Sequence, residues 1–211
     1  MYLTATRPDI LFDVSMLSRF MTNPKRSHWE VGKRVLRYIL GTINFGIYYK
    51  KVSESVLFDF CDSDRGGNVD DHKSTSSYVF SMGSCVFSWT SKKQSIFSLS
   101  TTETEYISLA ITRCQALCLR WMLKELECTQ RSETVLFCDN GSAITLSKNP
   151  VFHGRSKHII IKYHFIRDLV KDGEMIVKYC KTQDQVADIF TKVLKFDLFV
   201  KFRGKLGFAQ V

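Results

Sequence analysis

Apolar residues follow a helical period in the first fifty residues of the chain. They recur every three or four positions across residues 10–21, and Asn23-Pro24 ends the pattern. Ser27 with Glu30 three residues later is typical of a capping box, and a second apolar stripe follows it. The pattern therefore predicts a helical hairpin in residues 1–50.

From residue 56 onward the hydrophobic pattern indicates strands first and then alternating strands and helices. Because three strands come before the first long helix, the order β-β-β-α-β-α-α-β-α predicts an α/β fold, a mixed sheet covered by helices. The predicted strands are residues 56–61, 77–82, 85–90, 135–138 and 175–179. The predicted helices are residues 101–126, 142–147, 157–171 and 182–190, the last opened by a second capping-box pattern.

Four acidic residues lie where strands end or helices begin. Asp62 and Asp139 each close an apolar run, Glu105 lies near the start of the long helix, and Asp188 lies in a short helix. If the strands are neighbours, their ends converge, and a cluster of like charges then requires a cation. Carboxylate oxygens suit Mg²⁺, and two such ions can hold both oxygens of a phosphoryl displacement. The pattern favours a nuclease.

Composition is consistent with a nucleic-acid partner. The 211 residues fit one substantial domain, or one domain with an appendage, and 30 Lys and Arg against 21 Asp and Glu give a net charge of +9. Many soluble proteins are also basic, so charge alone does not decide. The seven cysteines form no CxxC pair and no secretory signal precedes them, so we expect an intracellular, reducing location and no secretion. Since charged residues interrupt every long apolar run, we expect no membrane partner.

Several sequence strings carry a resemblance to a known family. They match, in order and nearly end to end, the C-terminal part of a copia-type (Ty1/copia) retrotransposon Pol polyprotein. The resemblance implies a ribonuclease H-like domain over residues 55–194, with a mixed five-stranded sheet and helices on both faces. It also implies a remnant of the reverse transcriptase in residues 1–50 and a C-terminal tail in residues 195–211. The strings include TRPDI, RVLRYILGT, LSTTETEY, NPVFHGRSKH, YHFIRD and ADIFTK.

The resemblance implies an activity and a set of site residues. The family's four catalytic and metal-binding carboxylates fall on Asp62, Glu105, Asp139 and Asp188. They would hold two Mg²⁺ ions, with Mn²⁺ as a substitute, and hydrolyse the RNA strand of an RNA–DNA hybrid. The polymerase's own Asp-Asp motif is absent from this sequence, so no polymerase activity is implied here. The implied partners are the hybrid and the upstream reverse transcriptase, in the cytoplasm within a virus-like particle or in the nucleus.

Two of these assignments have rivals in the sequence. Asp59 and Asp64 lie near Asp62, and Glu103 competes with Glu105. Helical periodicity does not choose between the two glutamates; only the family-like context Glu-Tyr-Ile after position 104 favours Glu105.

Polar and basic residues near the four acids are candidates for contacting the nucleic acid. Small polar side chains could read the 2′-hydroxyl that distinguishes RNA, and cationic ones could hold phosphates. Any single lysine among them could equally be ordinary solvated charge. The candidates are Ser63, Lys92, Lys93, Gln94, Ser100, Asn140, Arg155 and Lys157.

The sequence also departs from the family pattern. Residues 64–67 read Asp-Arg-Gly-Gly where the family usually has Asp-Trp-Ala-Gly, and Val193-Leu194 replaces Pro-Leu. The alternative hypothesis is therefore a catalytically decayed retrotransposon remnant that binds nucleic acid at most non-specifically. A transposase or integrase of the same fold group is disfavoured, because those enzymes lack the YHFIRD and ADIFTK strings.

Overall fold

The computed structural model describes residues 3–52, 55–67, 72–148 and 174–210, so the predicted helix at 157–171 lies outside the described residues. The described helices are α1 (Leu11–Ser18), α2 (Arg26–Gly41), α3 (Thr101–Glu125), α4 (Gly141–Lys148) and α5 (Phe196–Lys205). The strands are β1 (Phe45–Ile47), β2 (Leu57–Ser63), β3 (Thr75–Met82), β4 (Cys85–Lys93), β5 (Thr134–Cys138), β6 (Met175–Tyr179) and β7 (Phe208–Gln210). Short 3₁₀ turns occupy Leu3–Ala5, Pro8–Ile10, Thr182–Asp184 and Val186–Phe190.

Five of the strands form one mixed sheet in the order β4-β3-β2-β5-β6. The first three are antiparallel neighbours, whereas β5 runs parallel to both β2 and β6. This order and these directions are those of a ribonuclease H-like fold. The predicted α/β class with a mixed five-stranded sheet is confirmed.

Each face of the sheet is covered by its own apolar core. On one face, α3 and α4 pack over residues such as Leu57, Phe80 and Leu136. On the other, the turn Val186–Phe190 and helix α5 pack over strands β3 and β4. Successive residues of β3 enter opposite cores because side chains alternate along a strand. Cover on both faces is confirmed.

The predicted helical hairpin is present as α1 and α2, which pack against each other. The predicted capping box at Ser27 is wrong, because α2 begins at Arg26 and Ser27 already lies inside its first turn. Lys25 is the residue that caps this helix, and its N–H donates to Nδ1 of His28 at 3.1 Å.

The predicted helix at residues 182–190 is also corrected. Two 3₁₀ turns, Thr182–Asp184 and Val186–Phe190, replace it, with Gln185 extended between them. Gln185 is buried, and its side-chain amide donates to the carbonyl oxygen of Cys61 at 2.9 Å. This tie to β2 holds the backbone extended where a continuous helix would need αR geometry.

The segment expected to be a C-terminal tail has regular structure. Strand β7 pairs antiparallel with β1, and α5 contributes to the core on the second face. From α5, Arg203 donates to the Tyr38 hydroxyl of α2 at 3.1 Å, and that hydroxyl donates to Asp9 at 2.6 Å. The N- and C-terminal segments therefore contact each other extensively. The division into residues 1–50, 55–194 and 195–211 stays a prediction.

Among the described residues, the structure contains no helix that is both long enough and apolar enough to cross a lipid bilayer.

Helix α5 offers a test of how far the C-terminal segment supports the fold. Phe202 is 0% exposed in the second core, whereas Phe196 on the same helix is 78% exposed. Phe202→Ala should lower the free energy of unfolding by about 3–5 kcal/mol, because it removes a buried ring and leaves a cavity. Phe196→Ala should change it by about 0.5 kcal/mol or less. Urea unfolding followed by circular dichroism measures both, and equal losses would contradict the packing described for α5.

Candidate metal centre

Three carboxylates meet at one edge of the sheet. One oxygen from each of Asp62, Glu105 and Asp139 lies within 4.8 Å of the others. Phe60 of β2 is in register with Phe137 of β5, so Asp62 and Asp139 each lie two residues further along neighbouring parallel strands. The first turns of α3 pass over this edge and add Glu105. The carboxylates at the ends of neighbouring strands therefore converge in the structure, as the sequence pattern predicts.

The hydrogen bonds of α3 separate its two rival glutamates. The N–H of Glu103 donates to Ser100 Oγ at 3.2 Å, and its carboxylate accepts the N–H of Leu99 at 2.7 Å. The first bond is the side-chain N-cap of the helix, and the second joins Glu103 to the residue before the cap. Glu105 instead points to β2, where its carboxylate accepts the N–H of Ser63 at 3.2 Å.

Asp188 lies beside the three-carboxylate group rather than within it. Its Oδ1 is 2.9 Å from the ammonium nitrogen of Lys192, four residues later. Thr191, which directly precedes Lys192, donates its hydroxyl hydrogen to Oδ2 of Asp62. Asp188 is nonetheless close enough to Asp62 for each charge to affect the other.

The rivals of Asp62 have other partners. Asp59 is buried inside the sheet, and its Oδ1 accepts the N–H of Val79 at 3.0 Å. Asp64 accepts the N–H of Thr75 and so fixes the start of the loop after β2. Neither carboxylate belongs to the three-carboxylate group.

Burial and mutual repulsion disfavour the ionised forms of Asp62, Glu105 and Asp188. Burial raises the pKa of Asp62, although Lys192 opposes the shift. Burial and then the Asp62 charge raise the pKa of Glu105 well above its ordinary value. The same two causes raise the pKa of Asp188 to about 8. A divalent cation would offset both the desolvation and the repulsion.

The donor set fits such a cation. All of its atoms are carboxylate oxygens, which Mg²⁺ and Mn²⁺ prefer over nitrogen or sulfur. Neighbouring groups hold the ligands in place: Ser108 donates to the Asp62 carbonyl at 2.8 Å, and Thr182 donates to Asp139 Oδ2 at 2.9 Å. Ser108, Thr182, Thr191 and Lys192 were not among the predicted site residues. Helical or strand periodicity carries no signal for Ser108, Thr182 or Thr191, because their contacts join segments distant in sequence. Lys192 lies only four residues after its partner Asp188, but a lysine after a short turn is ordinarily solvated.

No family model matches the chain. It is 43% identical over 210 residues to the retrovirus-related Pol polyprotein from transposon RE1 of Arabidopsis thaliana, with 100% of this chain and 14% of that polyprotein covered. It is 41% identical over 205 residues to the corresponding polyprotein from transposon TNT 1-94 of Nicotiana tabacum, covering 96% and 15%. The chain belongs to the copia-type retrotransposon Pol polyproteins. The predicted family is confirmed, and the chain spans about a seventh of these relatives' length.

Among solved structures, the Pol chain is similar to the N-terminal RNase H domain of rv2228c from Mycobacterium tuberculosis. The TM-score is 0.47 at 13% identity, covering 71% of this chain and 97% of that one. At this level the likeness adds nothing to the fold that the strand order already defines.

Most polar candidates for nucleic-acid contact have partners within the Pol chain. Ser100 caps α3, and Oδ1 of Asn140 accepts the N–H of Ala143 at the start of α4. The buried Gln94 amide donates to Ser76 at 2.8 Å and to the Thr104 carbonyl at 3.1 Å. The Ser63 side chain is buried beside the acids.

The two lysine candidates line an open cavity. Lys92 and Lys93 at the end of β4, with Gln94, bound a space of about 690 Å³ between this strand and α3. Ser108, which donates to the Asp62 carbonyl, also lines it, whereas none of the carboxylates does. Arg155 and Lys157 lie outside the described residues. The roles of all these side chains and of the four acids stay predictions.

The raised pKa values predict how stability depends on pH in the absence of metal. An acid that keeps its proton in the folded state up to higher pH than in the unfolded state makes unfolding easier as pH rises. Stability in EDTA should therefore fall from about pH 4, the ordinary carboxylate pKa, up to about 8, the pKa of Asp188. Thermal unfolding at a series of pH values measures this decline. Asp188→Asn should reduce the decline at the upper end of this pH range, near pH 8. A stability that rises with pH across the range would refute the electrostatic description.

Proposed function

We propose that this Pol segment is a ribonuclease H that hydrolyses the RNA strand of an RNA–DNA hybrid with two Mg²⁺ ions, for which Mn²⁺ can substitute. The observation that carries the proposal is the convergence of Asp62 and Asp139, from the ends of parallel strands, with Glu105 of α3. Burial and repulsion raise the pKa values of Asp62 and Glu105, and a divalent cation at this site would offset both causes.

Four residues would hold the metal. Asp62 is the natural shared ligand, because it lies in the three-carboxylate group and also interacts with Asp188. Bound divalent cations in such sites lower the pKa of a water and stabilise the departing oxygen. Ser108 and Thr191 keep Asp62 in place from its carbonyl and its carboxylate respectively. Glu105 and Asp139 complete the site from α3 and from the end of β5.

The hybrid would contact the face that carries the cavity. Lys92 and Lys93 offer positive charge for phosphates beside an otherwise acidic centre, in a chain with a net charge of +9. Ser63 and Asn140 lie next to the acids and could contact a 2′-hydroxyl, as could Gln94 directly after β4 and Ser100 at the start of α3. In the whole polyprotein, an upstream reverse transcriptase would supply the hybrid, and the setting would be intracellular, in a virus-like particle or the nucleus.

The direct test is cleavage of a labelled RNA–DNA hybrid by the purified chain in millimolar Mg²⁺ or Mn²⁺. We expect cutting of the RNA strand only, lost on addition of EDTA and in the Asp62→Asn and Asp139→Asn variants, because each removes a ligand charge. Double-stranded DNA is the matched control substrate. If the folded protein leaves the hybrid intact at every metal concentration, the decayed-remnant hypothesis is correct instead.

The two glutamates of α3 give a sharper test of the site. Glu105→Gln should slow hybrid cleavage on the order of a hundredfold or more, about 3 kcal/mol of barrier, because it removes a ligand charge. Glu103→Gln should leave the rate nearly unchanged, because glutamine can still accept the Leu99 N–H just before the helix. Single-turnover kinetics measures the cleavage rate of each variant, under conditions in which both variants are folded. The reverse ranking would mean that the wrong glutamate has been placed in the site.

A further inference from the structure

One cation is already built into the acidic site. The ammonium nitrogen of Lys192 lies 2.9 Å from Oδ1 of Asp188. The side chain of Asp188 is only 2% exposed, whereas that of Lys192 is 42% exposed. The acid is therefore fixed in the protein, while the cation approaches it from the solvent side.

In the described part of the chain, no hydrogen-bond donor compensates the charge of this oxygen. Asp188 Oδ1 is buried and receives no well-aligned hydrogen bond there, so the ammonium charge is its compensation. An unpaired carboxylate in such surroundings would be costly. Lys192 also interacts electrostatically with Asp62 and Asp139, so its charge acts on most of the acidic site.

The chain geometry explains how Lys192 reaches this position. The 3₁₀ turn Val186–Phe190 is packed into the second core, and Thr191 follows it with its hydroxyl on Asp62. Lys192 comes next, so its backbone is anchored by the preceding residue. Its four-carbon stem can still move between Asp188 and solvent.

We propose that the Lys192 ammonium is a tethered counter-ion of the metal-free site, which a divalent cation must displace from Asp188 in order to bind there. The inference rests on the proposed function, since it takes Asp188 as a metal ligand. Two cations cannot share an oxygen that is almost fully enclosed. Lys192 therefore stabilises the site before metal binds and lowers its affinity for metal.

The test compares Lys192→Met with the matched control Lys195→Met, an exposed lysine three residues away. Isothermal titration of the metal-free protein with Mn²⁺, at fixed pH and ionic strength, should show about tenfold tighter binding in Lys192→Met, because a competing charge is gone. The same variant in EDTA should melt at a lower temperature than the parent. Lys195→Met should change neither quantity, and Lys192→Arg should keep the parent's weaker affinity. Unchanged or weaker Mn²⁺ binding by folded Lys192→Met overturns the inference.

A second measurement does not use Lys192→Met and remains available if that variant does not fold. In protein labelled with ¹³C at lysine Cε, saturating Mg²⁺ should move the Lys192 signal, assigned from its loss in Lys192→Arg, to the position of solvent-exposed lysines. A signal that stays in place while Mg²⁺ saturates the protein shows that no displacement occurs. Both readouts are independent of hybrid cleavage. A protein that passes them but cuts no hybrid keeps this inference, while its proposed activity fails.

Discussion

Repulsion among carboxylates held at the ends of two parallel strands is the constraint on which the rest of this structure depends. Asp62 and Asp139 are forced together by the register of β2 and β5, and Glu105 is added from α3. Separating them would relieve the repulsion, but each is held by donors from other segments. The site is stable only as long as those donors, and the sheet beneath them, stay in place.

Packing on the second face of the sheet helps to keep the acidic site in place. The turn that carries Asp188 is fixed because Ile189 and Phe190 are buried against β3, β4 and α5. Helices α1 and α5 and strand β1 complete this core, although they contribute no acid to the site. Packing far from the carboxylates therefore decides where the fourth one lies. It also places Thr191 and Lys192, which follow directly in the chain.

The sheet could be predicted from the sequence because its strands have clear apolar runs and the order of elements leaves few arrangements. Periodicity could not choose between Glu103 and Glu105, because the choice depends on where α3 begins, and only the resemblance to the family favoured Glu105. Ser100 caps that helix and uses Glu103 to do so, which leaves Glu105 for the site. The misplaced cap at Ser27 has the same origin, since a capping pattern alone does not fix the first residue of a helix. The contact of Lys192 with Asp188 could not be predicted either, because a lysine after a short turn is ordinarily solvated.

The pairing of β7 with β1 has a consequence for the gene as well as for the protein. In a genomic copy of such an element, a premature stop codon shortly before residue 196 would leave every candidate acid encoded. It would nevertheless remove α5 and β7, and with them the ring of Phe202 and the partner of strand β1. The second core would open beneath the turn that carries Asp188. An open reading frame as far as the codon for Gln210 is thus a better mark of an intact site than the presence of the four acids.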